Sequence, residues 1–103
     1  MEGLKGIHKK YLRGLAHSQK PLVFIGQKGI SPTLIKAVDE ALDTHELIKV
    51  KFNEFKEKDR KKEISDIIEK ETQSEMVGMI GHTAIFYRQH KDAEKRKIVI
   101  PNR

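Results

Sequence analysis

The chain has no cysteine, no tryptophan and only three prolines among 103 residues. Without thiols it has no disulfide, no thiolate metal site and no cysteine nucleophile, and the composition suits a reducing interior. No apolar run approaches the roughly 20 residues that a membrane-spanning helix requires, and the first residues lack the apolar core of a signal peptide. The expectation is a cytoplasmic protein with no membrane partner. Two tyrosines and four phenylalanines are the whole aromatic complement. The length suits one modest core, so residues 1–103 are read as a single domain with its core at about 4–101.

What is abundant is charge, at 35% of residues with a net +6. The first 36 residues carry seven basic groups (Lys5, Lys9, Lys10, Arg13, Lys20, Lys28 and Lys36) against one acid, Glu2, whereas 14 basic and 14 acidic residues follow. The excess is therefore confined to one third of the chain. Such asymmetry produces a one-sided positive field suited to a polyanion, with a solvated surface kept for solubility as the alternative.

Hydrophobic periodicity orders the elements. Leu4, Ile7, Tyr11, Leu12 and Leu15 fall at helical spacing and predict an amphipathic helix over about 3–18, weakened by about 1 kcal/mol at each of Gly6 and Gly14. The run Leu22 to Ile25 predicts a strand covered on both faces. Ser31-Pro32 predicts a helix start, with Leu34, Ile35, Val38, Ala41 and Leu42 as its buried stripe. Leu47 to Phe52 alternates apolar and basic residues as a half-buried strand does. A polar loop over residues 53–58 leads to a third helix capped by Asp59 and carrying Ile64, Ile67 and Ile68. Strands at 75–80 and 83–88 follow, joined by a tight turn at Gly81-His82, and Lys97 to Ile100 reads as a short strand or extended tail. The class is α/β, a two-layer sandwich with a leading helix and then β-α-β-α-β-β.

One motif stands at a chemically useful junction. Gly26-Gln27-Lys28-Gly29 joins the first strand to the Ser31-Pro32 helix start, where backbone N–H groups and the helix dipole favour anions. The glycines are expected to permit positive φ and close approach. A second GxxG, Gly78 to Gly81, has apolar middle residues and reads as core plus a turn. Dinucleotide and nucleoside triphosphate fingerprints are absent, and no cofactor is expected. The five histidines show no metal-binding spacing, and no serine sits in a nucleophile elbow, so neither a metal site nor an enzyme is expected.

Four ordered stretches together resemble a known family: Tyr11 to His17, Ile25 to Ile30, His45 to Lys51 and Ile80 to Arg88. The chain resembles the CRM domain family in its stand-alone bacterial form, YhbY, from about Leu4 to Pro101. That resemblance implies a four-stranded mixed sheet with three helices, similar to the C-terminal domain of translation initiation factor three. It further implies RNA binding, with association to precursors of the large ribosomal subunit, and it places the family's GxxG loop at Gly26–Gly29. Gly78 stands where family members commonly carry a polar residue.

The interface expected from these readings holds phosphate on the backbone N–H groups of Gln27, Lys28 and Gly29, with Gly26 opening the turn. Lys9, Lys10, Arg13, Lys20 and Lys28 surround it, and Lys49, Lys51 and Arg88 extend it along the sheet. Tyr87 is a candidate base-stacking residue, although a strand aromatic is more often core. With so few aromatics, recognition by shape and phosphate is favoured over reading of unpaired bases. The expected partner is RNA, with ribosomal proteins as possible further partners, and the protein is expected to be a monomer. A protein-interaction module reaching the ribosome through a ribosomal protein or assembly factor is the alternative. A small phosphorylated ligand at the loop is a third.

Overall fold

The structure is a computed structural model that describes residues 4–100. Gly3, near the expected start of the first helix, and Pro101, at the expected end of the core, lie outside the described residues. The elements are α1 (Gly6–Ala16), β1 (Val23–Ile25), α2 (Pro32–His45), β2 (Leu47–Phe52), α3 (Lys58–Thr72), β3 (Glu75–Ile80) and β4 (Thr83–Tyr87). A short 3-10 turn, Ala93–Lys95, interrupts an otherwise extended tail. The sheet order is β1-β2-β4-β3, with β1 parallel to β2 across the α2 crossover and the other two pairings antiparallel.

This is the expected α/β fold, with three helices on a four-stranded mixed sheet. α2 and α3 form one helical layer on the sheet. Their residues Val38, Leu42, Ile64 and Ile68 close over Val23, Ile25, Ile48, Val50, Phe52, Ala84 and Phe86 in the larger core. α1 does not join that layer, so the expected two layers are three, with helices on both faces of the sheet. It lies on the opposite face, where Leu12 and Ala16 meet Leu47, Val77, Ile85 and Tyr87, and Ile98 and Ile100 of the tail complete the smaller cluster.

Helix ends follow local chemistry with one correction. Ser31 Oγ accepts from Leu34 N–H at 3.1 Å, and Pro32 occupies the first helical position of α2. α3 starts one residue before the expected cap, so Glu57 is its N-cap and Asp59 falls in the first turn. There the carboxylate still favours the helix dipole.

The buried stripe of α1 differs from the expected one. Ile7 is 61% exposed, and Tyr11 and Leu15 are also exposed, while Lys9, Leu12, Arg13 and Ala16 turn towards the sheet. Polar partners on β3 decide the rotation. Glu75 accepts from Leu4 N–H at 3.0 Å and pairs with Lys9 at 3.3 Å, and Arg13 donates to the Val77 carbonyl at 2.7 Å. A β-bulge between Met76 and Gly78 makes this possible, because the extra residue turns both Val77 and Gly78 towards α1. A Cβ on Gly78 would lie 2.5 Å from Arg13 Cδ. The second GxxG is thus explained by packing, since Gly78 makes room for the Arg13 stem.

β1 is also not covered on both faces. Val23 and Ile25 are buried among the helices, whereas Phe24, between them, is 52% exposed on the face that carries α1. α1 packs chiefly on β2, β3 and β4, and the edge strand remains open.

Candidate nucleic-acid interface

The Gly26–Gly29 turn sits at the open end of β1. Gly29 N–H donates to the Gly26 carbonyl at 3.0 Å, closing a β-turn with Gln27 and Lys28 exposed at its tip. Within this turn positive φ occurs at Gly29, at +62°, and not at Gly26, which serves the turn without adopting a left-handed conformation. The expectation that both glycines take positive φ is corrected here. So is the expectation of three free N–H groups, because the Gly29 donor is used within the turn. Ser31 Oγ occupies Leu34 N–H and Pro32 has no donor, so the α2 terminus offers less than its dipole suggests.

The loop over residues 53–57 buttresses this turn. Asn53 and Glu54 both donate N–H to the Ile25 carbonyl, at 3.0 and 3.1 Å. Phe55, itself at φ +58°, lays its ring against Gly29, where an added Cβ would be 3.2 Å from Phe55 Cε2. Arg60 sits 4.9 Å from the centre of the same ring, within cation-π range. Sequence reasoning saw only a polar loop here; the lone Phe55 within it was the available signal.

The expected basic residues separate into two groups. Lys10, Lys20, Lys28 and Lys51 are exposed, and their side chains have no hydrogen bond or ion pair among the described residues. Four other cations are engaged internally. Lys9 pairs with Glu75 and Arg13 holds the Val77 carbonyl. Lys49 Nζ reaches the His17 and Gln19 carbonyls at 3.4 and 3.0 Å, tethering the C-terminal end of α1. Arg88 bonds the Asp39 and Asp43 carboxylates at 2.6 and 2.8 Å and the Thr72 carbonyl at 2.8 Å. It follows Tyr87, which pairs with Leu47 at the start of β2, whereas the glycine turn lies at the other end of the β1-β2 pair. Those ends are separated by the length of β2, about 17 Å for a six-residue strand.

Tyr87 is only 6% exposed and belongs to the smaller core, so its ring cannot offer a stacking face. Burial, with the nearby Glu46 carboxylate, pushes its hydroxyl pKa up. Glu46 is the polar feature that sequence reasoning missed. It is 1% exposed at φ +63°, and its carboxylate accepts from the N–H groups of His90 (2.6 Å), Lys97 (2.7 Å) and Ile98 (3.0 Å). Burial pushes its carboxyl pKa up, but these bonds and the charge of His90 bring it below the ordinary value. Its role is to pin the tail.

The described residues contain no group of three or more His, Cys, Asp or Glu side chains able to hold a metal ion, and no helix long and apolar enough to cross a membrane. The exposed glycine turn, with Lys28 at its tip, lies beside the open edge strand β1. The model of the CRS1 / YhbY (CRM) domain matches residues 4–88. This chain belongs to the CRM domain family. Among its relatives, the Probable RNA-binding protein YqeI of Bacillus subtilis is 35% identical over 95% of this chain and 99% of its own length. A Haemophilus influenzae protein named RNA-binding protein is 35% identical over the full length of both chains. The solution structure of the hypothetical protein SAV1595 from Staphylococcus aureus superposes with a TM-score of 0.79 at 37% identity, covering 94% of this chain and all of that one. The CRM match ends at Arg88, so the tail clasped by Glu46 follows the matched segment.

Proposed function

We propose that this CRM domain is a cytoplasmic RNA-binding protein that engages ribosomal RNA of large-subunit precursors, without catalysis. The observation that carries the RNA reading is the pairing state of its cations. Lys20 precedes β1, Lys28 follows it and Lys51 lies beside it in register with Phe24, each exposed and with no side-chain partner among the described residues. Full-length relatives named as RNA-binding proteins support the same reading. The Gln27 and Lys28 N–H groups at the turn tip bind phosphate, Lys28 adds a mobile charge, and Lys10 extends the contact along α1. Lys9, Arg13, Lys49 and Arg88 support the fold under this surface and make no primary contact with RNA.

The test is a salt titration of the protein and of Lys28→Ala against large-subunit rRNA fragments and an unrelated RNA of equal length. The expected log-log slope is roughly −0.7 to −0.9 per phosphate neutralised. Lys28→Ala weakens binding to every RNA and makes the slope shallower by about one contact, whereas Lys70→Ala, at an exposed position of α3, has no effect. A flat salt dependence overturns the mechanism.

The exposed side chains Ile7, Tyr11 and Leu15 on α1 favour a second reading, contact with a ribosomal protein or assembly factor. Binding of such a partner that competes with RNA would assign the basic face to it.

A further inference from the structure

One strip of the sheet is left uncovered at the end that carries the glycine turn. Phe24, Lys51, Thr83 and Ile80 are successive register partners across all four strands, on the face that bears α1. Phe24 is 52% exposed and Ile80 60% exposed, and Lys51 between them is exposed and without a partner among the described residues. Along the outer edge of β1 the same strip continues into an open groove of about 540 Å³ whose lining includes Leu22, Phe24, Gln27, Lys28, Thr33 and Leu34. Its apolar part is formed by Leu22, Phe24 and Leu34. Its polar part is the tip of the turn.

An aromatic side chain half in water on an edge strand is a liability unless something covers it. The surrounding charge selects the occupant. Three lysines that are unpaired among the described residues, Lys20, Lys28 and Lys51, attend the strand that presents this ring, which suits a polyanion carrying flat apolar groups better than an uncharged peptide. Adjacent strands lie about 4.8 Å apart, so the Lys51 stem stands beside the Phe24 ring and its ammonium reaches the edge of whatever rests there. The turn tip lies just beyond the strand end.

Resting on the RNA reading above, we propose that Phe24 is the stacking platform for one unpaired base, whose flanking phosphates are held by Lys51 and by the turn tip at Gln27 and Lys28. This CRM domain then reads a single-stranded or bulged nucleotide as well as backbone. A base already paired and stacked within a duplex cannot use the ring. The preference for unpaired nucleotides therefore resides in Phe24, while the salt dependence resides in the lysines.

The experiment uses the full chain with a single-stranded RNA of about 12 nucleotides, within the usual range for such sites, and the same strand annealed to its complement. Phe24→Ala is expected to weaken single-strand binding by about tenfold, leaving duplex affinity and the salt slope unchanged. Phe24→Trp gives a chain that otherwise lacks tryptophan a single reporter, whose emission is expected to be quenched by the single strand and not by the duplex. Equal loss on both RNAs from Phe24→Ala, or no loss with no Trp quenching, overturns the stacking role while Lys28→Ala still reports on RNA binding. No RNA binding at low salt by the unsubstituted protein overturns the RNA reading itself. A dimer dispersed by Phe24→Ala overturns the proposal by assigning the patch to a second copy of the chain.

Discussion

Glu46→Gln tests how the tail is fastened. In the unsubstituted protein three backbone N–H groups, from His90, Lys97 and Ile98, converge on one buried carboxylate at 2.6 to 3.0 Å. Hydrogen bonds to a charged group contribute about 1.5–3 kcal/mol each, but ordering the backbone of the roughly ten intervening residues costs about 1–2 kcal/mol per residue. Docking of the tail is thus a small difference between large terms, helped by packing of Ile98 and Ile100 on the smaller core. Glutamine keeps the shape but turns one acceptor into a donor that faces an N–H. A loss of about 2 kcal/mol is expected, limited by the ability of the tail to undock while the sheet persists. Amide exchange reads this directly: His90, Lys97 and Ile98 should lose protection by about 30-fold, while amides central to β2 and β4 change little. The pH dependence has a defined sign. Because the folded carboxyl lies below its ordinary value, the clasp contributes fully above that ordinary value and is lost as pH falls through the lower, folded one. Tail protection relative to intrinsic exchange should therefore decline on acidification in the unsubstituted protein and remain low and flat in Glu46→Gln. Protection equal to that of Glu71→Gln, a change at an exposed position on α3, would refute the reasoning.

The internally engaged cations give further expectations. Arg88→Ala should lower stability by about 2–4 kcal/mol, because it removes a mostly buried guanidinium from Asp39, Asp43 and the Thr72 carbonyl. RNA affinity and its salt slope, measured below the new midpoint, should be unchanged. Gly78→Ala should cost about 1–2 kcal/mol by displacing the Arg13 stem, and urea midpoints should show that most of this cost disappears in an Arg13→Ala background, a coupling that independent sites would lack. Gly29→Ala should cost about 1–2 kcal/mol for its left-handed backbone. Its added methyl also presses on Phe55, so RNA affinity should fall more than stability alone explains; unchanged affinity would remove the turn from the interface.

How much of this was legible beforehand depends on whether the signal was local. Ser31-Pro32, the alternation through β2 and the two glycines of the turn are local patterns, and each produced the expected element because capping, pleat and turn geometry are decided within a few residues. The fold class and the location of the excess charge were available on the same basis. The face of α1 was not. Two adjacent helical stripes competed, and the choice went to Lys9, Leu12, Arg13 and Ala16 because Glu75 and a bulged carbonyl on a strand more than 60 residues away could satisfy the two cations.

The site divides in the same way. Sequence by itself determined that a basic third of the chain carries a glycine turn between a strand and a helix, since charge and turn chemistry belong to the residues themselves. Only the tertiary structure decided which of those charges remain available. Pairing depends on what other elements bring within about 3 Å, so Lys49 and Arg88 became internal ties while Lys20, Lys28 and Lys51 have no side-chain partner among the described residues. Exposure was decided likewise: Tyr87 lies under α1 and the tail, and Phe24 stands open because α1 packs beyond the edge strand. An apolar strand residue carries no mark of which face its neighbours will cover; that depends on where a separate helix comes to rest.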